Sequence, residues 1–382
     1  MKENTTHRKT IFFIDPQSMR NLSVYDYNLL SEIKDNVYFY CSKYHDYKKL
    51  DFIRYKPVFS YNFKKDKLTK ATSYIFSLIK ILYDILTKQP DVIHVQWFKL
   101  PTFDKFFYLF VHKVLKAKIV HTAHNVLPHD TGDKYKSAYS QLYNSMDAII
   151  VHTYRTKEEI HNLFGTDKSK INVIPHGLLK QPYDFEKYQA EKAYMERKFS
   201  LKGKFILTAL GEQSTYKGTD KLIEVWNSTP EFYQNESCEL IIAGENKRFK
   251  FEQSIEAKNI LRINRKLSNE EFMFFLKISD IYVLPYRNIS ASGAMFTALT
   301  EKIPILVTDV GGLTDPLRIA NIGMSIPSIA HLQEGLKYII DHQEEVRKLK
   351  TNQKEWDKID QTYNWRTISK QTQRLYSDIY LS

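Results

Sequence analysis

Residues 121–130 read HTAHNVLPHD, which puts three histidines, an asparagine and an aspartate into ten positions of a 382-residue chain with twelve histidines. Imidazole can ligate a metal, carry a proton or hydrogen-bond a hydroxyl, so three readings are open. A metal site needs at least three ligands in compatible geometry. HExxH is absent, and Pro128 prevents the continuous helix that would align imidazoles at i and i+4. Histidines satisfied by hydrogen bonds at a domain edge are the second reading. Contact with a ligand is the third: His124 and Asn125 would lie in a loop just after the apolar run AKIV (117–120), with His129 further along it.

A different chemistry is written into the second half. GEQSTYKGTDKLIEVW (211–226) follows the apolar run FILTAL, has Gly211 and Gly218 where close backbone approach is useful, and opens a helix at Thr219 or Asp220. Lys217 stands beside that helix start. Unpaired N–H groups, the positive dipole end and a lysine together favour a phosphate; an ordinary turn lysine is the alternative. DIYVLPYRNISASGAMFTAL (280–299) reads as strand, serine-rich turn and helix, where Ser290 or Ser292 can cap a helix starting at Gly293. Two anion cradles in one domain suit a diphosphate. Gly311 and Gly312 follow a further apolar run and permit a tight loop near the same place. Neither GxxxxGK[ST] nor GxGxxG occurs.

The elements that must position these residues are legible as short apolar runs separated by segments of helical length. TIFFI (10–14), NVYFYC (36–41), DVIHVQW (91–97), AKIVHT (117–122), DAIIVH (147–152) and INVIPH (171–176) read as buried strands. ATSYIFSLIKILYDIL (71–86) and FDKFFYLFVHKVLK (103–116) repeat apolar residues at three and four, so they read as helices. Alternation of this kind gives a doubly wound α/β domain with a parallel sheet. After the charged stretch 181–203 the pattern restarts with KFILTALG, CELIIAG, NILRINR, DIYVLPY and IPILVT. Two domains are expected, 1–180 and 200–355, with their ligands outside the carboxyl ends of the strands and in the cleft between the sheets.

Composition agrees with a folded chain. Hydrophobic residues make up 43% and charged residues 26%, with too few glycines and prolines for a fibrous or low-complexity protein. Cys41 and Cys238 have no zinc-finger or CxxC spacing, which points to a reducing compartment. The N-terminal MKENTTHRKT leads into IFFID without a secretory apolar stretch, and no eighteen apolar residues run together, so a cytoplasmic location is expected. The net charge of +12 calls for an anionic partner, unless it merely follows a lysine-rich, AT-rich coding bias.

The ordered set HTAHN, INVIPHG, LGEQSTYKGTDKLIEVW, LIIAGE (240–245), SDIYVLPY (279–286) and SGAMFTALTEKIPILVTDVGG (292–312) resembles the GT-B glycosyltransferases. It is closest in kind to the large family-four group, and HNVLPHD resembles a bacterial capsule and exopolysaccharide branch. That resemblance implies two Rossmann-like domains, an acceptor held by the first and a nucleotide-sugar donor, a UDP-sugar by preference, held by the second. It implies transfer of a hexose to a glycan, glycolipid or glycoprotein with retention and without a metal; no DxD occurs. Lys217 would neutralise the leaving diphosphate, and His124 would stand beside the transferred sugar. Gly211, Ser214, Thr215, Gly244, Glu245, Tyr286, Ser290, Ser292, Gly293 and Ala294 would form the donor site, while Asn125, His129 and Arg20 would meet the acceptor. No cofactor is implied beyond the donor itself.

This sequence departs from the family at three places. The paired glutamates align with Ser290 and Ala298, the arginine before the KG pair is replaced within Glu212, Gln213, Ser214 and Thr215, and the first glycine-rich loop is DPQSMRNLSVYDYN (15–28). A noncatalytic transferase-like partner subunit is therefore the alternative reading. A nucleic-acid binder would account for the charge but not the motif order, and no nucleic-acid module is visible. The lysine-rich, aromatic segments 61–70, 76–88 and 106–118 suit peripheral attachment to an anionic membrane face, against the alternative that both helices simply pack on the sheet. An amphipathic helix at 362–382 is expected to pack back on the first domain.

Overall fold

TIFFI forms the strand β1 (Thr10–Ile14), and all four of its apolar residues are buried. Ile11 and Phe13 enter the core on one face of the sheet, Phe12 and Ile14 the core on the other, as alternation along a strand requires. The computed structural model describes residues 8–19, 21–60, 66–128, 132–246 and 257–381. Two units are formed, one of Met1–Gly177 with Asn364–Ser382 and one of Leu178–Tyr363.

The first unit adds β2 (Asn36–Ser42), β3 (Arg54–Phe59), β4 (Val92–Val95), β5 (Ile119–Thr122), β6 (Ala148–Val151) and β7 (Ile171–Val173). All pair in parallel, in the order β3-β2-β1-β4-β5-β6-β7. Register is pinned by aspartates that immediately precede strands. Asp91 accepts Thr10 N at 2.7 Å and Asp147 accepts Ile119 N at 2.7 Å, each satisfying the first N–H of the neighbouring strand. The helix Lys67–Lys88 is capped by Asp66, which accepts Thr69 N, and ends on Gln89 at φ 43°. The final helix, Trp365–Leu381, belongs to this unit: Ser369 Oγ donates to Leu29 O at 2.8 Å, and Tyr376 is buried in the core.

The second unit contains β8 (Phe205–Leu210), β9 (Cys238–Ala243), β10 (Ile260–Ile263), β11 (Ile281–Leu284), β12 (Ile305–Thr308) and β13 (Gly323–Ile326), parallel and ordered β10-β9-β8-β11-β12-β13. The same device recurs, with Asp280 accepting Ile206 N at 2.7 Å. Both sheets are doubly wound.

The structure departs from the sequence reading at the edges. β3 and β13 carry no apolar run: β3 is RYKPVF, with Pro57 tolerated because the strand is outermost, and β13 is GMSI. The stretch expected to separate the domains contains the helix Phe185–Lys198, capped by Asp184, and it is part of the second unit. The second unit also extends to Tyr363, past the expected end at 355.

Candidate active site

In the second unit the strand order reverses between β8 and β11, and the loops after these two strands carry the expected anion-binding residues. Gly211 leaves β8 at φ 98°, and a Cβ there would lie 3.8 Å from Lys217 Nζ, so the ammonium sits over bare backbone. Residues Thr215–Lys217 make one 3-10 turn, after which Gly218, at φ 72°, starts the helix Thr219–Ser228. A Cβ on Gly218 would come within 2.0 Å of Pro285 O, so the loop lies directly on the end of β11. Gly244 is under the same constraint, because its Cβ would meet Gly211 O at 1.7 Å. Burial lowers the Lys217 pKa, with Glu212 opposing.

Two buried polar atoms at this place, Ser214 Oγ and Gln213 Oε1, have no hydrogen-bond partner among the described residues. Such orphans are uncommon in folded chains and mark a place where a ligand or water completes the bonding. A small open pocket of about 20 Å³ lies beside Lys217. After β11, Ser292 Oγ accepts Met295 N at 3.3 Å and caps the helix Gly293–Thr300. Ser290 does not cap: its carbonyl accepts Gly312 N at 3.0 Å, fixing the two-glycine loop. Tyr286 is buried, with its hydroxyl 3.5 Å from Ser292 Oγ. Glu245 and Ala294 are partly exposed and Thr215 and Gly293 are exposed.

Sequence reasoning missed the brace of this loop. Arg287 grips Asp220 through two bonds of 2.7 and 2.9 Å and also bonds Thr215 O, while its N–H donates to Tyr216 O at 2.7 Å. Gln213 ties the other end, with Nε2 donating to Gly244 O at 2.7 Å. Side chains that bond a loop's backbone across two strands leave no periodic signal.

In the first unit His121 and His124 have different surroundings. His121 is buried in β5 with Nδ1 2.9 Å from Val95 O and its ring on Phe98, a structural role. His124 is half-buried and stacks on Trp97 at 4.7 Å. His129 and Arg20 lie outside the described residues. Asn125 is half-buried, and its carbonyl receives the Tyr143 hydroxyl at 3.3 Å.

Around His124 runs a continuous chain of polar contacts. Its Nε2 is 2.8 Å from Gln96 Oε1, and its Nδ1 is 3.3 Å from His152 Nε2. His152 Nδ1 donates to Ile174 O at 3.0 Å. At the other end, the Gln96 amide nitrogen lies 3.0 Å from His94 Nε2, and His94 Nδ1 lies 2.5 Å from Tyr376 OH. Tyr25 packs its ring on His124, His152 and His176. Burial holds these imidazoles neutral: it pushes His152 down to about 4 and His94 and His176 to about 3, and it holds His124 well below its ordinary value. The sequence signal for Gln96 was a polar residue inside the run DVIHVQW; for His152 there was none.

Two family models match the chain, Glycosyltransferase Family 4 over residues 27–178 and Glycosyl transferases group 1 over residues 191–356. The chain belongs to the GT-B glycosyltransferases. Among curated relatives of this GT-B chain, mannosylfructose-phosphate synthase of Agrobacterium fabrum is 25% identical over 189 residues, 45% of this chain and 40% of the relative. The chain's matches span less than half the length of each such relative. The GT-B architecture itself is shared with solved structures. Sucrose-phosphate synthase from Thermosynechococcus elongatus superimposes with TM-score 0.68 at 14% identity, covering 98% of this chain and all of the other. HepE of Anabaena in complex with UDP-glucose gives 0.65 at 12% identity, covering 97% and 100%.

Proposed function

We propose that the protein is an active, metal-independent, retaining glycosyltransferase that takes a hexose from a nucleotide diphosphate sugar and gives it to a glycan or lipid-linked acceptor. The observation that carries this reading is the group at the β8–β11 reversal: Lys217 over Gly211, two helix starts, and a buried Ser214 hydroxyl without a partner. Backbone amides and one dehydrated ammonium are suited to a diphosphate, because charge is stabilised more strongly where water has been removed. Stabilising the departing diphosphate is the main catalytic demand of a transfer in which no protein nucleophile acts. Lys217 supplies the counter-charge, and His124 contacts the sugar. The solved HepE complex with UDP-glucose supports UDP as the nucleotide.

Isothermal titration of UDP, GDP and their sugars, followed by UDP-release kinetics with and without EDTA, tests the proposal. Tight UDP-sugar binding, slow donor hydrolysis and indifference to EDTA are expected. Lys217→Ala should lower turnover by roughly a hundredfold to a thousandfold. Unaltered turnover would remove Lys217 from the mechanism. A second reading, a noncatalytic partner subunit, is favoured by one observation: the position of the family's second glutamate is Ala298, a wholly buried methyl in the helix Gly293–Thr300. Under that reading donor binds without any release of UDP.

Attachment to an anionic membrane face is part of the proposal. On the helix Lys67–Lys88, Leu68, Phe76, Ile79, Tyr83 and Leu86 form an exposed apolar ridge, with Phe76 66% exposed, and Phe106, Phe110 and Val114 do the same near the helix Pro101–Lys113. Lysines interleave both ridges, the pattern of an interfacial helix. Among the described residues no helix is long and apolar enough to cross a membrane. Sedimentation with phosphatidylglycerol vesicles at low salt is the check, and absence of binding would refute this part.

A further inference from the structure

The helix Thr219–Ser228 follows the loop proposed to hold the donor diphosphate, yet its first turn carries a carboxylate, Asp220. The unpaired amides and positive dipole end that favour a carboxylate there are the same field that draws a phosphate. The two anions therefore compete, and a bare Asp220 would repel the ligand. Relief comes from a different strand. Arg287, just after β11, closes a two-bond fork on Asp220 at 2.7 and 2.9 Å. Lys221 and Glu224 pair with each other at 2.5 Å and so add no net charge to that end of the helix. We propose that Arg287 is a positioning residue for donor binding, which masks Asp220 at the helix start and sets the turn that carries Lys217.

The bonds to the turn are independent of the ion pair. Arg287 N donates to Tyr216 O at 2.7 Å and its guanidinium donates to Thr215 O, so the two carbonyls immediately before Lys217 both end on one residue. The Lys217 ammonium lies 6.0 Å from the ring centre of Tyr216 and 6.0 Å from that of Tyr286, the residue next to Arg287 in the chain. Arg287 thus anchors the backbone on both sides of the rings that flank the ammonium. A lysine could match the charge of Arg287, but it lacks the planar fork that bonds Asp220 twice while also reaching Thr215 O. Stability is a weak reason for the pair. Its side chains are 34% and 35% exposed, and ion pairs at such exposure contribute little to the fold. Its effect falls instead on the charge at the helix start. Between Glu212 and Gly218 the sequence offers Lys217 as the only cation, and Arg287 brings a second one to that loop from elsewhere in the chain.

The inference rests on the proposed donor site, and the two fail differently. UDP is titrated at low and high salt into the full chain, Arg287→Ala, Asp220→Asn and the double variant. Arg287→Ala should weaken UDP binding roughly tenfold by baring Asp220, and the deficit should shrink in high salt. Asp220→Asn alone should bind UDP no more weakly than the parent. The double variant should return to within about threefold of the parent's affinity, although it lacks the ion pair altogether. A loss caused by misfolding would not return. Donor hydrolysis should part from affinity: kcat stays low in both variants without Arg287, because the turn under Lys217 is no longer held. Full recovery of kcat in the double variant would strike out the turn-setting role. Unaltered UDP affinity in Arg287→Ala, or a deficit that neither Asp220→Asn nor salt relieves, would overturn the masking of Asp220. If the parent binds neither UDP nor GDP, the donor-site reading falls and takes this inference with it.

Discussion

His124 has both ring nitrogens engaged, and this constrains what it can do for a sugar. A neutral chain of bonds requires His152 Nδ1 to donate to Ile174 O, so its Nε2 must accept from His124 Nδ1. His124 Nε2 is then a lone pair, and Gln96 must present its amide N–H to it. With the Gln96 oxygen turned toward His124, an additional proton has to lie between His124 and His152. One amide rotation and one proton are therefore linked, and the burial of the imidazoles favours the neutral arrangement. Gln96→Glu offers only acceptor atoms and a negative charge, so it should raise the His124 pKa and move the acid limb of kcat/KM to higher pH. Nitrogen-15 spectra of the imidazoles should show His124 protonated on Nδ1 alone in the parent at pH 7.5 and on both nitrogens in the variant. Identical spectra would mean that Gln96 does not set the tautomer.

At the scale of the element, the loop Gly211–Gly218 is held by contacts rather than by propensity. Gly218 has positive φ and no room for a methyl against Pro285 O, whereas Gly203 has φ 84° with nothing within 4 Å of a Cβ. Gly203→Ala pays only the left-handed penalty, about 1 kcal/mol, while Gly218→Ala adds a backbone clash that must push β11 and the loop apart. Urea unfolding should place the Gly218 variant at least ~2 kcal/mol below the Gly203 variant, and donor affinity should fall in the former only. Equal losses would show that the loop yields freely. These elements also explain what the sequence made legible. Central strands are buried on both faces and so read as unbroken apolar runs, and glycines at β-to-α turns read as ligand loops. β3 and β13, covered on one side only, carried proline, lysine or serine and were invisible. Ser290 and Ser292 are equivalent as letters; only the turn geometry decides that Ser292 caps. Arg287 and Gln96 act through three-dimensional bonds to distant backbone or side chains, which no spacing rule encodes.

Across the whole molecule, the titratable burial is unevenly divided. His94, His121, His124, His152 and His176 all belong to the first unit and are all held below their ordinary pKa by burial, with His121 and His152 at about 4. The histidines of the second unit, His331 and His342, are not buried. A base whose folded pKa is depressed contributes its full stability above the unfolded value of ~6.5 and loses it as pH falls toward the folded value. Carboxyls of the same unit work in the opposite sense: burial raises Asp15 to about 6, Asp104 to about 7, Asp26 well above its ordinary value and Glu159 above its own, so the folded form gains relative stability as they protonate. His45, also depressed by burial, adds to the histidines' side. As pH falls from 6 to 4 the first unit should therefore lose stability, the depressed imidazoles outweighing the raised carboxyls. Peptide-resolved hydrogen exchange should show β1, β4, β5 and β6 losing protection at pH 5 while β8, β9, β11 and β12 keep theirs. Joint loss in both units would mean that the imidazole cluster does not set acid stability, and with it would go the claim that these histidines are held neutral by their burial.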